Sequence, residues 1–107
     1  MTAGAAPDRL AATATPAVAT ARRRATICNQ KGLHARAAAR FVKTAAQFAA
    51  DIRVRKNGTT VSGRSIMGLM MLAAASGTEI EITATGSDAA AAVETLAHLI
   101  ECKFDED

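Results

Sequence analysis

The stretch of the chain best equipped for chemistry is Lys31-Gly32-Leu33-His34-Ala35-Arg36. Gly32 loosens the backbone. His34 stands where an extended run, ATICNQ at 25–30, gives way to a helical pattern, HARAAARFVKTAAQF at 34–48. The first turn of a helix presents unpaired N–H groups and the positive end of the helix dipole, a setting that suits an anion and above all a phosphate. The same field disfavours an imidazolium and favours the neutral, nucleophilic ring. Arg36 can offer a planar fork of donors to a phosphoryl group carried on the imidazole. Arg40, one turn on, adds positive potential. Nucleophile, helix N-terminus and guanidinium together describe a phosphohistidine site. A histidine in this place also serves as a plain helix cap or a solvated surface residue, and spacing alone leaves both readings open.

The remaining pattern must position that histidine. The chain has 107 residues, one domain's worth, with 3% aromatic content. Its core is expected to draw on Ile, Leu, Val, Met and the three Phe rather than on Ala. Phe41, Ala45 and Phe48 follow Ala37 on one helical face. IRVRK at 52–56 alternates apolar and basic, Asn57-Gly58 signals a tight hairpin, and TTVSG at 59–63 is the return strand. SIMGLMML at 65–72 reads as a short helix with Ser65 as its N-cap, and Gly77 is the expected stop of the stretch that follows. EIEITAT at 79–85 alternates again, and a last helix over 88–101 carries Ala89, Ala92, Val93, Leu96, Leu99 and Ile100 on one stripe. The order is β-α-β-β-α-β-α. Each strand has one apolar and one polar face, which predicts an antiparallel sheet with helices on a single side, a two-layer α+β sandwich.

Gly32-Leu33-His34-Ala35-Arg36, followed at fitting distance by Gly63-Arg64-Ser65-Ile66-Met67-Gly68-Leu69-Met70, resembles the histidine-containing phosphocarrier proteins (HPr) of the phosphoenolpyruvate-dependent phosphotransferase system. The resemblance continues through Gly77-Thr78-Glu79-Ile80-Glu81-Ile82 and Thr85-Gly86, and covers about residues 25–101. It implies an HPr-like open-faced sandwich, with four antiparallel strands in the order 1-4-2-3 and three helices on one face. It implies that His34 takes a phosphoryl group on Nδ1 from phospho-enzyme I and passes it to an enzyme II A-type domain, with Arg36 neutralising the phosphoryl. Ser65 would match the serine that an HPr kinase/phosphorylase modifies in many members. Ile66, Met67 and Met70, with Arg40 and Arg64 beside them, would dock the partner enzymes, although core packing is the simpler use of such a stripe. Ala37 stands where the family commonly has Pro, a change that spares the chemistry and loosens the first turn. The nitrogen-related branch of the family, and a regulator acting through Ser65 alone, are the alternatives. His34 and Arg36 weigh against the second.

Residues 1–24 are rich in Ala and Thr, with Pro7 and Pro16, and are expected to be a disordered extension before a domain at 25–107. A transit peptide is a lesser reading of the same segment. The net charge of +3 resides there, because residues 25–107 hold nine basic and nine acidic residues. A neutral domain without Trp or Tyr argues against a nucleic-acid partner. No apolar run is long enough for a membrane span. Two cysteines, Cys28 and Cys102, build no disulfide framework and suggest a cytoplasmic setting. Neither they nor the two histidines show metal-ligand spacing, so no metal and no bound cofactor are expected, and the chain reads as a monomer. His98 reads as a surface residue, and the acidic end, Asp105-Glu106-Asp107, is expected to fray.

Overall fold

The structure, a computed structural model, describes residues 19–106. The elements run β1 (Thr20–Thr26), α1 (Ala35–Ala45), β2 (Asp51–Lys56), β3 (Thr59–Ser62), α2 (Ile66–Met71), β4 (Glu79–Thr85) and α3 (Ala89–Glu101). A short 3-10 turn, Lys103–Asp105, ends the described chain. The sheet is antiparallel throughout, in the order β1-β4-β2-β3. This is the 1-4-2-3 order that the resemblance implied. Strand alternation decides which face is covered: Ile52 and Val54 of β2 and Ile80, Ile82 and Ala84 of β4 are buried, while Arg53, Arg55 and Glu79 between them are exposed.

The core departs from its expected composition. Ala25, Ala37, Ala38, Ala45, Ala84, Ala89, Ala92 and Ala97 are all buried, while Met67, Met70 and Met71 are exposed. Small residues on the inner stripe of α3 let it lie close to β1 and β4, and those of α1 let it pack closely on α2 and α3, with Ile27, Phe41, Leu69, Leu96 and Ile100 among the larger side chains that fill the space between.

The first strand also begins earlier than expected. Arg22, Arg23 and Arg24 belong to β1, so the boundary at 24/25 is corrected to one before Thr20. Their run of charge hid the period of two. Arg23 lies on the half-covered side of β1 and is neutralised by two carboxylates of α3, Glu94 and Glu101, the latter at 3.1 Å. The positive excess therefore belongs in good part to the sheet, where Arg24 also lies 4.0 Å from Glu79. The expectations for residues 1–18 fall outside the described residues.

Two glycine readings resolve differently. Gly32 has φ +68°, and a Cβ there would meet the Ala74 carbonyl oxygen at 2.6 Å, so the turn before His34 requires glycine on two counts. Gly77 does not stop α2. That helix ends at Met71, and Ala73 takes the left-handed conformation after it, at φ 52°. Gly77 instead shapes the turn into β4, where its N–H donates to the Ile27 carbonyl at 2.6 Å.

Candidate functional site

His34 is the N-cap of α1. Its backbone is extended, at φ −81° and ψ −178°, and its carbonyl accepts the first helical hydrogen bond, from the Ala38 N–H at 2.8 Å. The ring folds back so that Nδ1 accepts from the Arg36 N–H at 3.2 Å. The turn leading in is pinned: the Leu33 N–H donates to the Ala74 carbonyl at 2.9 Å, and the His34 N–H donates to the Gly32 carbonyl at 2.9 Å. Nδ1 therefore faces the unpaired amides at the start of α1, where a phosphate is favoured.

The other ring nitrogen meets a residue of the acidic end. Glu106 Oε2 lies 2.6 Å from His34 Nε2, and Glu106 Oε1 accepts from the Asn29 side-chain amide at 3.1 Å. The expectation of a frayed end is thus corrected for Asp105 and Glu106. Phe104 is fully buried and anchors the segment, with Lys103, Phe104 and Asp105 all in left-handed conformation at φ 58°, 54° and 61°. Burial by itself would raise the Glu106 carboxyl. The Asn29 amide, the His34 ring and the positive field of Arg36 outweigh it, and hold the group below its ordinary value of 4.5. A carboxylate only accepts, so the proton at this contact sits on Nε2, which leaves the lone pair on Nδ1.

Gln30, Lys31, Arg36, Arg40, Asp105 and Glu106 line a shallow cleft beside the ring. Arg36 is exposed, and its guanidinium forms no hydrogen bond or ion pair among the described residues. Arg40 reaches Asp105 at 3.4 Å. Arg64 is tied elsewhere, donating to the Phe48 and Ala50 carbonyls at 3.1 and 3.2 Å, so it braces the turn into β2 rather than standing free for a partner. Ser65 caps α2 as expected, with its Oγ accepting from the Gly68 N–H at 2.9 Å. Ile66, Met67 and Met70 are exposed while Leu69 and Leu72 are buried, so the stripe divides into core and surface. Met71, 78% exposed, extends the apolar surface. Among the described residues no group of three or more His, Cys, Asp or Glu side chains is arranged to hold a metal.

Asn29, Glu106 and Met71 were not singled out by the pattern of the sequence. One signal for Glu106 was present: Phe104, one of only three Phe, follows the last helix and needs a place in the core.

The family described as "PTS HPr component phosphorylation site" matches residues 21–102. The chain belongs to the HPr phosphocarrier family of the phosphotransferase system. The HPr of Neisseria meningitidis serogroup B is 52% identical over 80 residues, spanning 75% of this chain and 90% of that protein. A phosphocarrier protein NPr of Shewanella violacea is 40% identical over 84 residues, 78% of this chain and 92% of that protein. Among solved structures, an HPr of Thermoanaerobacter tengcongensis superposes with a TM-score of 0.78 at 41% identity, covering 81% of this chain and 98% of that one. An HPr of Bacillus anthracis gives 0.74 at 46% identity, covering 77% and 98%. The HPr match begins at Ala21, inside β1, in accord with the earlier domain boundary.

Proposed function

We propose that this protein is a phosphoryl relay in which His34 Nδ1 takes a phosphoryl group from phospho-enzyme I and hands it to an enzyme II A-type domain. The observation that carries this reading is the setting of Nδ1 at the mouth of α1, with Nε2 already engaged by Glu106. In the transfer a bond forms between Nδ1 and phosphorus while the bond from phosphorus to the donor breaks. The amides at the start of α1 and the free fork of Arg36 face the charge that the phosphoryl oxygens carry, and Arg40 and Lys31 add to the field. The relay uses no bound cofactor, and any Mg²⁺ belongs to a partner.

Ile66, Met67, Met70 and Met71 form the docking patch, an apolar surface that suits flexible Met contacts. Arg40 borders the site, whereas Arg64 contributes through the turn it braces. Phosphorylation of Ser65 by an HPr kinase/phosphorylase would place about −1.5 to −2 charges at the edge of that patch. The protein acts as a cytoplasmic monomer. No helix among the described residues is long and apolar enough to cross a membrane, although a T. tengcongensis HPr has also been solved as a dimer. The likeness to an NPr supports a second reading, in which phosphate flow regulates and moves no sugar.

Incubation with phosphoenolpyruvate and enzyme I, followed by intact mass, should add one phosphoryl group that is lost in acid and kept in base. Adding an enzyme II A-type domain should strip it. Failure to gain an acid-labile phosphoryl group from active enzyme I overturns the proposal.

A further inference from the structure

Asn29 is fully buried, a polar side chain inside the core edge of a small domain. Its amide nitrogen donates twice, to the Gly32 carbonyl at 2.8 Å and to Glu106 Oε1 at 3.1 Å. Its own carbonyl oxygen, Oδ1, is buried without a partner among the described residues. A buried acceptor left unpaired is unfavourable, so packing alone does not explain an amide here. The two donated bonds do. The Gly32 carbonyl that Asn29 grips also accepts the His34 N–H, and the carboxylate that it grips contacts His34 Nε2. One side chain therefore holds both the backbone that presents the ring and the group that faces its far nitrogen. Glu106 lies beyond the residues 21–102 that the family matches, so this contact is carried by the chain's own end.

We propose that Asn29 is a positioning residue for phosphoryl transfer: by joining the Gly32 carbonyl to the Glu106 carboxylate, it keeps the proton on His34 Nε2 and the lone pair on Nδ1. The inference rests on the relay reading of His34. A neutral imidazole without fixed partners exchanges its proton between the two nitrogens, and only the ring with a bare Nδ1 can attack from the side that faces α1. At metal sites the outer partners that orient a histidine are typically worth 10- to 100-fold in affinity or activity, and the same orienting role sets the scale here.

The test combines ring ¹⁵N chemical shifts of His34, at a pH where the ring is neutral, with the kinetics of phosphorylation by enzyme I. The wild type should show mainly the Nε2–H ring. Asn29→Ala should raise the share of the Nδ1–H form, opposed only by the Arg36 N–H that donates to Nδ1, and lower kcat about tenfold, while KM for this protein in the enzyme I reaction holds, because the docking patch is untouched. Because Asn29 is buried, that variant can lose stability, and Glu106→Gln tests the same grip at a half-buried position. Asn29 should claim the introduced carbonyl oxygen and turn the introduced NH₂ toward His34 Nε2. The introduced NH₂ then opposes a proton on Nε2, so the Nδ1–H form should gain population against the Arg36 N–H that still donates to Nδ1, and kcat should fall by 10- to 100-fold. A Glu106→Gln protein whose ring populations and kcat both match the wild type shows that Asn29 does not orient residue 106, and overturns the inference. A folded Asn29→Ala protein with wild-type shifts and kcat overturns it equally. If the wild type accepts no phosphoryl group, the relay reading falls, while the ¹⁵N shifts still report whether Asn29 governs the ring.

Discussion

Phe104→Ala separates a docked chain end from an integral part of the core. Phe104 is completely buried, and a Phe→Ala change in a rigid core costs about 3–5 kcal/mol, because the cavity persists. Here the segment can leave instead. Leaving forfeits what remains of the Glu106 contacts with Asn29 and His34. It also relieves Lys103, Phe104 and Asp105 of a left-handed backbone that costs about 1–2 kcal/mol per residue. These opposing contributions nearly cancel, so the loss should be capped near the segment's small net hold, on the order of 1–2 kcal/mol. For a domain of this size that is a drop in Tm of roughly 5–15 °C. Once the segment leaves, Glu106 no longer faces His34, and kcat for phosphorylation should fall as it does in Glu106→Gln. Thermal denaturation followed by circular dichroism, with enzyme I kinetics on the same samples, measures both. A loss of 3–5 kcal/mol would show that the segment cannot detach. A small loss with unchanged kcat would show that Glu106 does nothing for His34.

Arg36→Ala should slow phosphoryl transfer by about 10²–10³, the usual effect of removing one preorganised donor, and Arg36→Lys should recover only part because it lacks the planar fork; unchanged rates would remove Arg36 from the site. Ala37→Pro should be tolerated and stabilise by about 0.4–1 kcal/mol, since helical hydrogen bonding begins with the Ala38 N–H and the amide at 37 is not needed; a fall in Tm would mean that the buried position has no room for the ring. Ser65→Asp should raise KM for this protein in the enzyme I reaction and leave the fold intact, with Ser65→Ala as control; identical kinetics would leave Ser65 as a helix cap alone. Glu106 ionises below its ordinary range, so the stability it adds is complete above that range and fades as the pH falls through the lowered value. The stability gap between wild type and Glu106→Gln should therefore close only in acid below pH 4.5, and a gap already closed near neutrality would contradict the assignment.

The elements around His34 were legible because their signals are local. Alternation over 79–85 marks β4 to the residue, and Asn57-Gly58 marks the β2–β3 turn. Ser65 caps α2 as its residue type suggests. What was not legible depends on distant pairing. Arg22, Arg23 and Arg24 read as a charged tail because the carboxylates that neutralise Arg23 lie on α3, at the other end of the chain. The Met residues read as core in composition, yet the abundant Ala of α1 and α3 closes the core without them. Half of the candidate site followed from the Gly32-Leu33-His34-Ala35-Arg36 motif. The other half, Asn29 and Glu106, acquires meaning only when Phe104 inserts into the core and brings the acidic end beside the ring.

The most direct test of the relay compares wild type with His34→Ala after incubation with phosphoenolpyruvate and enzyme I, by intact mass before and after brief acid treatment. His34 caps a helix at the surface, so His34→Ala should stay folded, with a stability change of about 1 kcal/mol. The account predicts one acid-labile phosphoryl group on the wild type and none on the folded variant. A wild type that stays unmodified, or a variant that still takes up an acid-labile phosphoryl group, would contradict it.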